Sequence, residues 1–442
     1  MHMLPQREAM AMAATLRHQA LILAAGNGVT RAMGFVLRLL TARWMGAEAL
    51  GVMELAGTAS MLALTPLTAG LPSAMSRLTA RRPAADQPEV LRAGLALARR
   101  TAMFLTLGLV LLSPALSWLM GDVRALPAML AASPSVPLLG LCCVYTGYSY
   151  GRQDTLHPAL NECAEQSVRF ALAAGLLLTL GGRSVGLTAA LPALAESVAA
   201  LASLLLFRRF IPTVPSRARP SQALTRQLFR LAAPSTLSRL CGSGVRMLGA
   251  VLLPVCLRRS GLSTRAATAQ YGLLSGMAMP LLMLPGVVTS ALCMVATPAV
   301  SRSEGTDRLR STMARLTLSA LCVGLAAGGG LFVLAEPIST VLYHQSALAP
   351  LVRFLSPLSV LFALHQVEAG MIAGLGLQRR SLTGAILSGC IQLGLMACLA
   401  PLPHWRIFGA ALALMAAHLF SVLWDGMVLL FALRAHTVFT AK

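Results

Sequence analysis

Arginine inside an apolar helix is the first pattern in this sequence that points to chemistry. The stretch GVTRAMGFVLRLLTAR, residues 28–43, is apolar enough for lipid, yet it holds Arg31 and Arg38 and closes on Arg43. A guanidinium at the centre of a membrane helix costs about 2.5–3.5 kcal/mol on insertion scales, so its presence there points to a task. Its planar fork of donors suits phosphate oxygens. Arg246 holds a matching place, because RAMGFVLRLLTAR at 31–43 and RMLGAVLLPVCLR at 246–258 both read R-x2-G-x8-R. Arg31 and Arg246 are therefore the leading candidates to hold an anionic ligand, with Asn27 and Arg38 as flanking candidates. The alternative use of each arginine is structural: pairing with a helix carbonyl or a nearby carboxylate to fasten the bundle.

A second polar cluster lies in PALNECAEQSVRF, residues 158–170. Asn161, Glu165 and Arg169 recur every four residues, so they share one helix face. Glu165 and Arg169 suit an i,i+4 ion pair with the acid on the N-terminal side, the better orientation. Two uses of this face stay open: a self-neutralising pair that lets the helix insert, or part of a polar cavity. Glu54, Glu196, Glu368 and Asp425 are further acids in apolar runs. Any one of them is a place for a proton or Na⁺, although packing or helix–helix hydrogen bonding is the plainer role for each. His365 lies three residues before Glu368, and this pair is too thin to expect a metal. No P-loop, GxSxG or HExxH motif occurs, and no enzyme is expected. No resident cofactor is implied; Na⁺ or H⁺ is the only candidate, as a coupling ion.

The elements that must position these residues are membrane helices. The chain has 442 residues, 56% hydrophobic and 12% charged, with mean hydropathy +0.72. Soluble domains carry about 25% charged residues, twice this share. Apolar runs bounded by charges, Gly and Pro predict twelve spans, near 18–44, 49–75, 101–120, 127–150, 158–180, 185–207, 231–256, 268–299, 314–341, 349–374, 381–401 and 407–433. Pro280 and Pro285 predict a kink in the eighth. The polar N-terminal segment does not suit a cleaved signal peptide and is expected to be a short tail before the first span. Nine cysteines are scattered with no CxxC spacing, so they are expected to be small apolar residues rather than ligands or disulfides.

The net charge is +21, and the sole lysine is Lys442. Arginines concentrate in 76–100 and 208–230, both expected to be cytoplasmic loops. An even number of spans then leaves both termini in the cytoplasm, with 257–266 as the loop that runs against the pattern. No basic aromatic surface exists to carry nucleic acid. The linker at 208–230 divides the chain into an N-terminal six-helix lobe, 1–207, and a C-terminal one, 231–442. Three short motifs recur in order: the arginine motif, SAMSRL at 73–78 with PAVSRS at 298–303, and GYSYG at 147–151 with GMIAG at 370–374. They point to an internal repeat. Six helices per half give both halves one topology, with a substrate site expected between them. The expected fold is an all-α polytopic membrane protein of about twelve helices in two pseudo-symmetric lobes.

TGYSYGRQDTLHPALNECAEQSVRF at 146–170 resembles the G-Y-x-x-G…P…E-Q-x-x-R signature of the stage V sporulation protein B family. These are polysaccharide and lipid-precursor exporters of the MATE/MurJ-like (MOP) superfamily. The stretches 31–52, 267–303 and 369–378 resemble the same family, so the likeness spans about residues 18–435. The twelve spans match the superfamily core without the two further C-terminal helices of many lipid flippases. The resemblance implies a flippase in the bacterial cytoplasmic membrane. It would move an undecaprenyl-pyrophosphate-linked glycan or peptidoglycan precursor by alternating access. It assigns pyrophosphate binding to Arg31 and Arg246 and makes the lipid-linked precursor the expected partner, with membrane lipids around it; envelope synthesis proteins are further candidate partners, through the basic loops. Many members carry an acid in the seventh helix near Gly249; this chain has none there, so ion coupling through that helix is not expected. Two other readings compete. One is a multidrug antiporter, whose cationic substrates fit poorly with arginines and 5% aromatic residues. The other is a non-transporting scaffold for envelope synthesis, docking through its basic loops.

Overall fold

The computed structural model describes residues 4–211, 221–301 and 305–440. Among these residues the chain is helical, with no strand. In order the α-helices are α1 (Leu4–Thr68), α2 (Leu71–Ala80), α3 (Gln87–Leu119), α4 (Leu126–Ala132), α5 (Ser135–Gly151), α6 (Leu156–Leu180), α7 (Val185–Phe210), α8 (Gln222–Arg259), α9 (Thr264–Tyr271), α10 (Met279–Leu282), α11 (Gly286–Ser301), α12 (Thr306–Val333), α13 (Ala335–Pro337), α14 (Leu348–Leu355), α15 (Leu358–Gly374), α16 (Gln378–Leu399) and α17 (Arg406–Thr440). By length and composition nine stretches among the described residues can each cross a membrane, and two bent pairs bring the number to eleven. The first stretch, residues 28–80, is 53 residues long. At 1.5 Å per residue that is about 80 Å, far more than a hydrocarbon core of about 30 Å. It breaks at Gly46, with φ 71° and ψ 175°, a conformation essentially confined to glycine. The break falls between the first two expected spans, and counting two there gives twelve. This is a multi-pass membrane protein.

Prolines shape the spans further. The eighth is bent by 53° between 264–282 and 286–301, with a π-helical turn over Gly272–Ala278 just before Pro280 and the break ending at Pro285. The tenth, expected as one run, is instead two helices bent by 46°; Ser356 keeps helical backbone, but Pro357 has no N–H to bond to the carbonyl four residues back and its ring crowds that carbonyl. Polar residues cap the shorter connections: Ser184 accepts from the Leu187 N–H at 3.3 Å, and Ser263 does the same for Ala266 at 3.3 Å. The basic stretch 76–100, expected as a loop, is mostly helix: Arg77 lies in the last turn of α2, and α3 starts at Gln87. Apolar composition sets where a helix can sit in lipid, while the helix itself runs on past the interface. Residues 212–220 of the expected linker lie outside the described residues; helix occupies the linker up to 210 and again from 222.

The chain separates into two units. Unit 1 holds residues 1–41, 56–117 and 123–243; unit 2 holds 42–55, 118–122 and 244–442. In unit 1, α5 lies against α2 through the glycines of GYSYG. A Cβ at Gly151 would fall 2.8 Å from the Ser76 carbonyl oxygen, and one at Gly147 would strike that of Pro72. In unit 2, α15 lies against α11 through the glycines of GMIAG, where a Cβ at Gly370 would fall 2.9 Å from the Cys293 carbonyl oxygen and one at Gly374 2.5 Å from that of Thr297. Both pairs are small-xxx-small contacts that let backbones touch in lipid. A longer pattern, S-P-x12-G-x3-G, covers 133–151 and 356–374. Its serines act alike, Ser133 donating to the Leu130 carbonyl at 2.8 Å and Ser356 to that of Arg353 at 2.9 Å. The repeat motifs thus do the same mechanical work twice. Around the second pair, Val367, Met371, Ala296, Met313 and Val428 form an apolar core. Lipid takes the outward faces, as on α3, where Phe104 is 77% exposed.

Candidate functional site

The first helix carries Asn27, Arg31 and Arg38 on backbone that is helical from 27 to 38, ahead of the break at Gly46. At 100° per residue these three positions fall within about 40° of one another around the axis. The side chains of Asn27 and Arg31 lie outside the described residues. Arg38 is half-buried, and Arg246, on α8 in unit 2, is exposed.

The polar face of α6 is built into unit 1 by two neighbouring helices. Buried Asn161 donates from Nδ2 to Ser203 Oγ on α7 at 2.6 Å, and Ser203 donates to Cys142 Sγ on α5 at 3.4 Å. The chain Asn161–Ser203–Cys142 thereby ties three helices together. Glu165 is half-buried beside this chain, close to Ser203 and in the field of Arg169, Glu196 and Glu162. The expected i,i+4 pairing of Glu165 with Arg169 is corrected here. Arg169 instead reaches across to Glu196 on α7, with Nη2 3.4 Å from Oε2. Glu196 faces α6 at matching depth, and a long arginine swings to a neighbour as readily as along its own helix. A lone acid in the apolar run of α7 is the signal in the sequence; its facing helix is not readable there.

Ser203→Ala is expected to lower stability by about 1–2 kcal/mol. This exceeds the average of about 0.6 kcal/mol for hydrogen bonds between membrane helices, because a buried amide loses its acceptor. Adding Asn161→Leu should restore most of the loss. Thermal unfolding in detergent, followed by size-exclusion fluorescence, reads both effects.

Unit 2 brings together residues that lie far apart in the sequence. His365 on α15 places Nδ1 3.1 Å from Asp425 Oδ2 on α17. Glu368, one turn further along α15, is also buried and faces Asp425 and Gly426. No group of three metal-ligating side chains occurs among the described residues. Nearby, Thr289 of α11 donates to Gln366 Oε1 of α15, and Trp424 Nε1 donates to the Arg380 carbonyl at 3.0 Å. These bonds fix α11, α15, α16 and α17 around the acids.

Residues 16–304 match the family described as polysaccharide biosynthesis protein, about two thirds of the chain. The chain belongs to that family. Among proteins similar to this family member, stage V sporulation protein B of Bacillus subtilis (strain 168) is 30% identical over 436 residues, covering 95% of this chain and 82% of that protein. Among solved structures, the lipid II flippase MurJ in an inward closed conformation is similar with TM-score 0.74 and 14% identity, over 94% of this chain and 87% of that one. An inward-facing multidrug resistance MATE family transporter of the MOP superfamily is similar with TM-score 0.69 and 18% identity, over 90% and 95% of the two chains. At such identities the likeness is one of fold. This member of the polysaccharide biosynthesis family therefore has the MOP fold that its sequence motifs imply.

Proposed function

We propose that this chain is a flippase of the bacterial cytoplasmic membrane. It carries an undecaprenyl-pyrophosphate-linked glycan or peptidoglycan precursor between leaflets by alternating access, with both termini in the cytoplasm. The observation that carries this reading is arginine in the first helix of each half of a polysaccharide biosynthesis family member. A pyrophosphate and its sugars cannot enter hydrocarbon unpaired. Fixed guanidinium forks replace the water that the head group gives up. Arg31 and Arg246 hold the pyrophosphate, Arg38 and Asn27 flank it, and Glu165 and Arg169 contribute to the sugar-binding face. The repeat organises the chain as lobes 1–207 and 231–442, joined by the linker at 208–230. Membrane lipids are its surroundings and envelope synthesis proteins its partners.

The test is leaflet transfer of a fluorescent lipid-linked pyrophosphate glycan in proteoliposomes, read with a membrane-impermeant quencher. Transfer by the purified chain above protein-free vesicles is expected. Its absence, with uptake of organic cations instead, would favour a drug antiporter.

A further inference from the structure

The motif R-x2-G-x8-R repeats its last residue as well as its first, and the flippase reading uses only the first. Arg43 and Arg258 close the two copies. Each stands twelve residues after its partner, Arg31 or Arg246, which is about 18 Å along a helix. Half of a hydrocarbon core is about 15 Å. A guanidinium near mid-span is thus followed by another at head-group level, on the side away from the cytoplasmic termini. Both closing arginines lie in unit 2. Arg43 Nη2 is 3.4 Å from His344 Nε2. The Arg258 guanidinium lies over Gly121, where an added Cβ would strike its Nη2.

Arg258 has company. Arg259 follows it in the last turn of α8, and Arg265 stands in the first turn of α9. This is the basic connection that runs against the positive-inside pattern. It is short and fixed. The Leu262 N–H donates to the Leu257 carbonyl at 3.4 Å and the Gly261 N–H to that of Arg258 at 3.0 Å, with Gly261 at φ 92°. This is the Schellman closure of a helix, and Ser263 then caps α9. All three arginines are exposed. Among the described residues, none of their side chains has a hydrogen-bond or ion-pair partner, whereas Arg353 elsewhere in unit 2 donates to Glu336 Oε2 at 2.9 Å. The acid beside Gly121, Asp122, is buried and accepts from Thr268 Oγ1 at 2.8 Å.

Helix polarity accounts for part of this cluster. Arg258 and Arg259 suit the negative end of α8, but a cation in the first turn of a helix is disfavoured, and Arg265 is one. It also adds to the like charge of the other two. An anion at the turn would relieve that repulsion and meet the positive end of α9. Guanidinium forks favour phosphate oxygens. A phosphodiester head group brings a single charge, whereas a pyrophosphate brings charge on two linked phosphorus atoms and oxygens enough for three forks.

We infer that Arg258, Arg259 and Arg265 form a second phosphate site, which receives the pyrophosphate of the transported lipid at the outer leaflet before release. Arg246 and Arg258 share α8, so the head group passes from the inner site to the outer one along a single helix. The receiving role rests on the flippase reading above, whereas phosphate binding at the turn does not.

The experiment uses the purified full-length chain in phosphatidylcholine nanodiscs. A membrane-impermeant dicarbonyl reagent modifies exposed arginines, and peptide mass spectrometry reads each one. Farnesyl pyrophosphate at about ten times its half-saturating concentration should slow modification of all three arginines about tenfold, by mass action. Arg246→Ala should keep this protection, because the outer site is separate. Arg265→Gln should raise the concentration that protects Arg258 and Arg259 by about tenfold or more, the size of one charge-assisted hydrogen bond. In proteoliposomes, replacing all three arginines with glutamine should slow leaflet transfer by a similar factor. On intact spheroplasts the reagent should reach the turn from outside.

An unprotected wild type would overturn the site even if lipid is transferred. So would protection that Arg246→Ala loses, modification from the cytoplasmic side alone, or equal protection by phosphatidylglycerol without farnesyl pyrophosphate, which would assign the turn to phospholipid head groups. Unchanged transfer in the triple variant would overturn the receiving role. Protection in both wild type and Arg246→Ala, with no lipid transferred by any protein, would uphold the phosphate site and sink the flippase reading instead.

Discussion

Arg31→Ala and Arg246→Ala, each tested alone, are expected to abolish leaflet transfer of the lipid-linked pyrophosphate substrate while leaving expression near wild type. Removing one partner from a buried, hydrogen-bonded charge pair costs about 2–5 kcal/mol, or roughly thirty- to several-thousand-fold. The loss should be large because the pyrophosphate has left water and has nothing else to replace the missing donors. Lysine at either position keeps the charge but not the fork, so Arg246→Lys should recover only part of the rate. If the arginines merely fastened the bundle, the loss would appear as a lower unfolding temperature with normal transfer per folded molecule. Measuring both quantities on the same preparations separates the two roles, and full transfer in both alanine variants would end the pyrophosphate reading.

Gly151→Leu and Gly374→Leu are expected to destabilise the protein more than Ser203→Ala does. At each site the first added carbon already meets a carbonyl oxygen of the neighbouring helix, Ser76 at 2.8 Å or Thr297 at 2.5 Å. The obstacle is backbone, which cannot turn aside, so the helices must separate. Ordinary overpacking costs about 1–3 kcal/mol, and these sites belong at or above the top of that range. Gly175→Leu on α6 is the control, because a Cβ there meets nothing within 4 Å. Yield of monodisperse protein and unfolding temperature in detergent should fall for the first two and hold for the third. An equal fall for all three would mean that leucine is harmful for another reason.

Much of the architecture is legible in the sequence because lipid imposes a simple code. Apolar length marks a span, and proline and glycine mark where it breaks, as at Pro285 and Gly46. GYSYG and GMIAG are readable as a repeat, though their purpose, backbone contact with α2 and α11, emerges only from the fold. Other features depend on how helices face one another, which spacing along one chain does not encode. Arg169 has a plausible partner four residues away in Glu165, yet pairs with Glu196 on the next helix. His365 and Asp425 stand sixty residues apart in sequence and meet only because α15 packs on α17. The basic stretch 76–100 reads as a loop because charge marks where the membrane ends, and a helix does not end there with it.

The break at Gly46 bears on how the chain is made. No loop of any length separates the first two apolar stretches as they leave the ribosome. The first span cannot settle in the bilayer and wait with a long hydrophilic tether behind it. The two are therefore expected to enter the translocon together, separated only by the break at Gly46. Early insertion is then expected to be sensitive to substitution of that residue before any later helix has been synthesised.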